Sequence, residues 1–152
     1  MIEVRAQGRL AASVDEVWAV LADPARMGRW LAFADRIEVL DDERRRLHGE
    51  FNRQRAEVDI RITDVVPPRR LAWEHEAERL DGKPAPMFAS STRFVVELEA
   101  AGDETVVRMV SQQQPASFVK GIGIRAGKAQ MRKALLKSLK GLAIQVGKAR
   151  SA

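Results

Sequence analysis

The chain contains no cysteine among its 152 residues. This excludes disulfides and thiolate chemistry and fits a cytoplasmic setting. It has no tyrosine, three tryptophans and five phenylalanines, too few aromatics for a nucleic-acid stacking platform, so no nucleic-acid partner is expected. Two histidines, with no close carboxylate spacing, leave nothing resembling a closed zinc site; neither a metal nor a cofactor is expected. No apolar run approaches the roughly 20 residues that span a bilayer. The opening MIEVRAQGRLAAS lacks the basic start and apolar stretch of a secretion signal. Internal repeats and low-complexity tracts are missing as well.

What is present reads as a globular protein. Hydrophobic residues make up 45% and charged residues 31%, ordinary values for a packed domain, and the length suits a single domain over 1–152. The net charge of +5 weakly favours anionic partners, and where the charge sits matters more than its sum. The composition is compatible with a monomer or a homodimer.

Periodicity divides the chain. IEVRAQGRL alternates, with Ile2, Val4, Ala6, Gly8 and Leu10 on one face, as in a half-buried strand. In SVDEVWAVLADP, Ser13 and Glu16 have capping-box spacing. Val14, Val17, Trp18 and Leu21 recur at helical spacing, and Pro24 ends that helix and opens a second short one, PARMGRWLAF. From Arg36 the period falls to two. RIEVLDD, RRLHGEF, AEVDIRITDVV, RLAWEHEAE, STRFVVELEAA and ETVVRMVSQQQ read as six strands joined by turns. Pro67 and Pro68 cannot donate to a ladder, so they belong at the corner between two antiparallel strands, where they stiffen the connection. KAQMRKALLKSLKGLAIQVGKAR is a long helix with Met131, Leu135, Leu139, Leu142 and Val146 along one side. The preceding SFVKGIGIRAG has three glycines in the span 121–127, which disfavours helix and predicts a bend or a loose first turn.

A run of strands with helices segregated argues for α+β rather than a wound parallel sheet. Short connections make neighbouring strands antiparallel. One helix about 10 Å wide cannot fill a curved seven-stranded sheet, so space is expected between helix and sheet.

Three segments resemble one family. LAASVDEVWAVLADPARMGRW, ITDVVPPRRLAWEH and STRFVVELEAAGDETVVRM are similar, in order and spacing, to the START-like (SRPBCC) superfamily, in its polyketide cyclase/dehydrase and lipid transport branch. The resemblance spans nearly the whole chain. It implies a helix-grip fold: a curved seven-stranded antiparallel sheet wrapped around a long C-terminal helix, with two short helices between the first two strands. In it Trp18 and Trp30 anchor helices, and Pro67 and Pro68 turn the chain. It implies a ligand cavity and, by itself, no particular reaction.

Inward positions are candidates to line that cavity: Trp30, Phe33, Phe51, Trp73, His75 and Phe94 from the helix pair and strands, and Met109, Met131 and Leu135 from the last strand and long helix. Phe88 and Met87, on the loop RLDGKPAPMFAS, are candidates for a lid. Such a lining suits a small hydrophobic, lipid- or polyketide-like ligand. His75 shares the parity of Leu71 and Trp73, and an inward imidazole suits orienting a ligand or moving a proton. His48 shares the parity of Arg46 and Glu50 and faces outward. A bulge would reverse either reading. Arg53 and Arg55 are placed at the mouth, where they would favour a carboxylate. Glu74 is the alternative inward carboxylate. Ser90, Ser91 and Ser111 sit in no nucleophile elbow, and the 121–127 glycines match no phosphate loop. Binding is the leading expectation. A cyclase or dehydrase using His75 and an interaction module built on the basic last helix are the alternatives.

Overall fold

Strict alternation gives the first strand, β1 (Ile2–Leu10). The computed structural model describes residues 1–86 and 88–151. After β1, Ser13 caps α1 (Val14–Leu21): its hydroxyl accepts the Glu16 N–H, while the Glu16 carboxylate accepts the Ser13 N–H, both at 3.2 Å. Asp23 caps α2 (Pro24–Trp30) by accepting the Ala25 N–H at 2.9 Å, and Pro24 occupies the first turn, where its missing donor costs nothing.

The remaining strands are β2 (Arg36–Val39), β3 (Arg44–Phe51), β4 (Gln54–Val66), β5 (Arg70–Leu80), β6 (Lys83–Pro84), β7 (Ala89–Ala101) and β8 (Glu104–Pro115). They pair antiparallel in the order β1-β8-β7-β5-β4-β3-β2, with the two-residue β6 beside β5. β6 is the one strand beyond the expected seven; it falls in the Gly- and Pro-rich loop. Pro67 and Pro68 lie in the tight turn between β4 and β5, closed by the Arg69 N–H donating to the Val66 carbonyl at 2.7 Å.

The glycine-rich segment departs from expectation. It forms a separate helix, α3 (Phe118–Ala126), capped by Ser117 and ended at Gly127, before the long helix α4 (Lys128–Ser151). Packing explains why glycine serves here. A Cβ on Gly121 would sit 3.2 Å from Pro115, and one on Gly123 would sit 3.3 Å from the Phe88 ring. Bare backbone lets α3 lie close against the end of β8 and against Phe88, which outweighs glycine's poor helix propensity.

The concave face of the sheet holds the core. Leu135, Leu139, Leu142 and Val146 of α4 are buried with Trp30, Met27, Val17 and Leu21 from the two short helices and with Val96, Val107 and Met109 from the sheet. Ser138 draws α4 against the chain after α2, accepting the Ala32 N–H at 2.9 Å. Gly141 makes the same approach possible: a Cβ there would lie 2.8 Å from the Trp30 carbonyl oxygen. This half of the concave face is closed.

Candidate functional site

The other half is open. A cavity of about 710 Å³ lies between β3, β4, β5 and β7, the chain after α2, and the first turn of α4. Its apolar wall comes from Leu31, Phe33, Leu47, Val58, Trp73, Phe94 and Met131. Phe94 is the centre of an aromatic cluster. Trp73, its direct cross-strand neighbour, stacks on it at 5.6 Å and 15°; His75 stacks at 5.6 Å and 23°; Phe33 leans against it at 5.1 Å and 60°. These offset and tilted geometries are the favourable ones for aromatic pairs. The mouth lies where exposed residues join the lining: Phe51 and Asn52 on the β3–β4 hairpin, and Phe88 just before β7.

Polar groups share the lining with this apolar wall. His75 Nδ1 is buried and has no hydrogen-bond partner among the described residues; Glu78 Oε1 stands 3.7 Å away, beyond a hydrogen bond. The imidazole nevertheless holds the Glu78 carboxyl below the ordinary carboxylate value, against the opposing effect of burial. Thr92 and Gln113, paired across β7 and β8, add neutral polar groups to the lining.

His75 and Glu78 lie three residues apart, a spacing that puts strand side chains on opposite faces. A bulge brings them together. The β4–β5 register runs Ile60 opposite His75 but Asp59 opposite Ala77, so Glu76 is an extra residue and the alternation restarts in the other phase. His75 therefore keeps the inward parity of Trp73, and Glu78 joins it. No sequence periodicity announces such a slip, and Glu78 was not among the expected residues. Thr92, by contrast, has the parity of Phe94 and was readable.

Seven of the expected lining residues border the cavity: Phe33, Phe51, Trp73, His75, Phe88, Phe94 and Met131. Trp30, Met109 and Leu135 do not; they are buried in the closed half, where α2 and α4 meet the sheet. Met87 lies outside the described residues. His48 pairs with Glu38 at 2.9 Å across β2 and β3, away from the cavity. The arginine expectation needs correcting. Neither Arg53 nor Arg55 borders the cavity; both are exposed, and Arg55 reaches Glu57 at 3.5 Å. Glu74 lies off the cavity too, 3.9 Å from Arg61. The charged groups at the edge are instead Glu50, Glu57, Glu78 and Arg79, and Arg79 is taken up by Asp59 at 2.9 Å and Glu57 at 3.3 Å. Among the described residues no three His, Asp or Glu side chains converge as metal ligands.

A helix gripped by a curved sheet, with the cavity between them, is matched at the level of sequence by the profile of a family described as polyketide cyclase / dehydrase and lipid transport, over residues 1–143. The chain belongs to this family. Solved structures agree on its START-like fold. A conserved protein from Geobacillus kaustophilus superposes with a TM-score of 0.78 at 16% identity, covering 97% of both chains. TTHA0849 from Thermus thermophilus gives 0.77 at 16% identity, covering 97% of this chain and 99% of that one. DynU16, from the dynemicin biosynthetic locus, gives 0.66 at 20% identity, covering 97% of this chain and 48% of that one. Among curated proteins no match was found. Membership in this START-like family goes with a ligand-binding or cyclase-type role. No helix among the described residues is long and apolar enough to cross a membrane.

Proposed function

We propose that the cavity binds a small, mostly apolar and uncharged molecule carrying one hydrogen-bonding group. The observation that carries this reading is the unpartnered, buried His75 Nδ1 in an otherwise aromatic wall. A buried polar atom without a partner is costly, and a ligand hydroxyl or carbonyl placed over Phe94 relieves that cost. Burial of ligand surface against Phe33, Trp73 and Met131 supplies the driving force, roughly 25 cal/mol per Å². The carboxylates at the edge, Glu50, Glu57 and Glu78, disfavour an anionic ligand. The absence of cysteine suits a cytoplasmic setting.

The test is native mass spectrometry of the purified protein, followed by organic extraction. A reproducible extra mass of roughly a few hundred daltons, the size of molecule such cavities hold, is expected, and Met131→Trp, which narrows the cavity, lowers the bound fraction. No bound mass together with no uptake of a hydrophobic dye overturns the reading. A long-chain acid preferred over its neutral amide overturns the charge selection.

One observation favours a second reading, a cyclase- or dehydrase-type enzyme. His75 and Glu78 lie 3.7 Å apart at the apolar wall, so the imidazole can accept a proton from a polyketide-like chain while the Glu78 carboxylate stabilises the resulting cation. On the extracted molecule, His75→Ala abolishes turnover in the enzyme reading and only weakens binding in the first.

A further inference from the structure

Charge is divided sharply along this chain. The last 48 residues carry ten Lys and Arg and no Asp or Glu, whereas the first 104 carry sixteen Lys and Arg and all twenty-one acids. Lys120, Arg125, Lys128, Arg132, Lys133 and Lys137, on α3 and the first half of α4, are all exposed. α3 also presents its side chains the wrong way round for a packing helix. Gly121 and Ile124 face inward, while Phe118, Val119 and Ile122 are 82%, 74% and 55% exposed. Three of the helix's bulky apolar side chains thus stand in solvent, while Gly121 and Ile124 take the packed side. Exposed Phe88 touches α3 at Gly123 and also borders the cavity mouth. The apolar knuckle formed by Phe118, Val119 and Ile122 and the mouth are therefore continuous.

We infer that α3 and the first turns of α4 dock on a bilayer surface containing anionic lipid, with Phe118, Val119 and Ile122 inserted among the acyl chains and the surrounding cations meeting the headgroups. Apolar side chains flanked by lysine and arginine, on a segment with no acid of its own, complement a negatively charged interface. A nucleic acid would leave the apolar knuckle unused, since these three side chains have nothing to offer phosphate. Docking in this orientation brings Phe88 and the mouth to the interface. The inference stands on the outer surface alone and does not require that the cavity hold a ligand.

Vesicle co-sedimentation tests it. The full chain binds vesicles of phosphatidylcholine with about a third phosphatidylglycerol, binds pure phosphatidylcholine far less, and is released as salt rises. The triple variant Phe118→Ser, Val119→Ser, Ile122→Ser binds at least about tenfold more weakly with an unchanged thermal midpoint, because these side chains are solvent-exposed. Lys120→Glu with Lys128→Glu, a second and independent change, lowers binding by at least about tenfold as well. His75→Ala leaves vesicle binding unchanged, which separates this inference from the ligand reading. Absence of binding to the anionic vesicles at low salt overturns the inference. So does binding that survives the triple substitution, or binding to single-stranded RNA with none to vesicles.

Discussion

The two halves of the concave face are built from the same sheet and the same helix, yet one is packed and the other hollow. In the closed half α4 lies against α2, with Gly141 on the Trp30 backbone and Leu135, Leu139 and Leu142 filling the space to the sheet. In the open half α4 has only Met131 to offer, because its first turn follows the break at Gly127 and α3 diverges toward the end of β8. A single helix cannot follow a strongly curved sheet along its whole length, and the short helices are spent at one end. The hollow is thus a consequence of covering.

The comparison can be broken most directly by truncation. Leu142→Ala, in the closed half, lowers unfolding free energy by about 2–5 kcal/mol, whereas Met131→Ala, beside space that already exists, loses about 1 kcal/mol or less. Urea unfolding of both variants checks this, and equal losses would mean the halves are packed alike. Next in size is a contrast within one helix. Gly141→Ala forces a methyl to within 2.8 Å of the Trp30 carbonyl oxygen and destabilises by about 1–3 kcal/mol. Gly147→Ala, with open space around it, stabilises by about 0.5–1 kcal/mol through helix propensity.

The open half, without a covering helix, is cross-linked from the strands themselves. Asp59 on β4 accepts from Arg46 on β3 at 2.7 Å and from Arg79 on β5 at 2.9 Å. The Arg46 hydrogen bond, chiefly, pushes the Asp59 carboxyl down to about 2 from its ordinary 3.8. A depressed carboxylate stabilises the fold above its unfolded value and loses that contribution as pH falls through the folded one. Stability therefore declines as pH drops from about 4 to about 2. Asp59→Asn costs about 1–2 kcal/mol at neutral pH and flattens the acid limb of the unfolding curve.

The closed half can also be tested for imperfection. Arg45 points inward from β3, is 6% exposed, and donates only to the Met27 sulfur at 3.1 Å. Burial pulls its pKa down, with Asp23 opposing, and no carboxylate lies within ion-pair distance among the described residues. Arg45→Met raises stability by about 1 kcal/mol by removing a desolvated charge, measured as a higher thermal midpoint.

Most of the architecture was legible in the sequence because it rests on short-range rules. Alternation marked β1, β3, β4, β5, β7 and β8. The Ser13–Glu16 capping box and Pro24 set the two short helices, and Pro67–Pro68 set the β4–β5 turn. α3 was misjudged because glycine propensity is local, while the reason for the glycines is a contact with Pro115 and Phe88 from distant parts of the chain. The site was legible by half. Parity placed Trp73, His75 and Phe94 on the inner face, but parity cannot say whether an inward side chain meets a helix or a void. Trp30, Met109 and Leu135 met packing, while Phe33, Phe94 and Met131 met space.

The sequence by itself determined the order of elements, the inward face of each regular strand and the basic, acid-free last third, since each depends on neighbours within a few residues. Tertiary structure alone decided where α4 stops covering the sheet, that the bulge at Glu76 turns Glu78 toward His75, and that α3 shows its large apolar residues to solvent. Those outcomes depend on how curved layers fit over distances that no local pattern encodes.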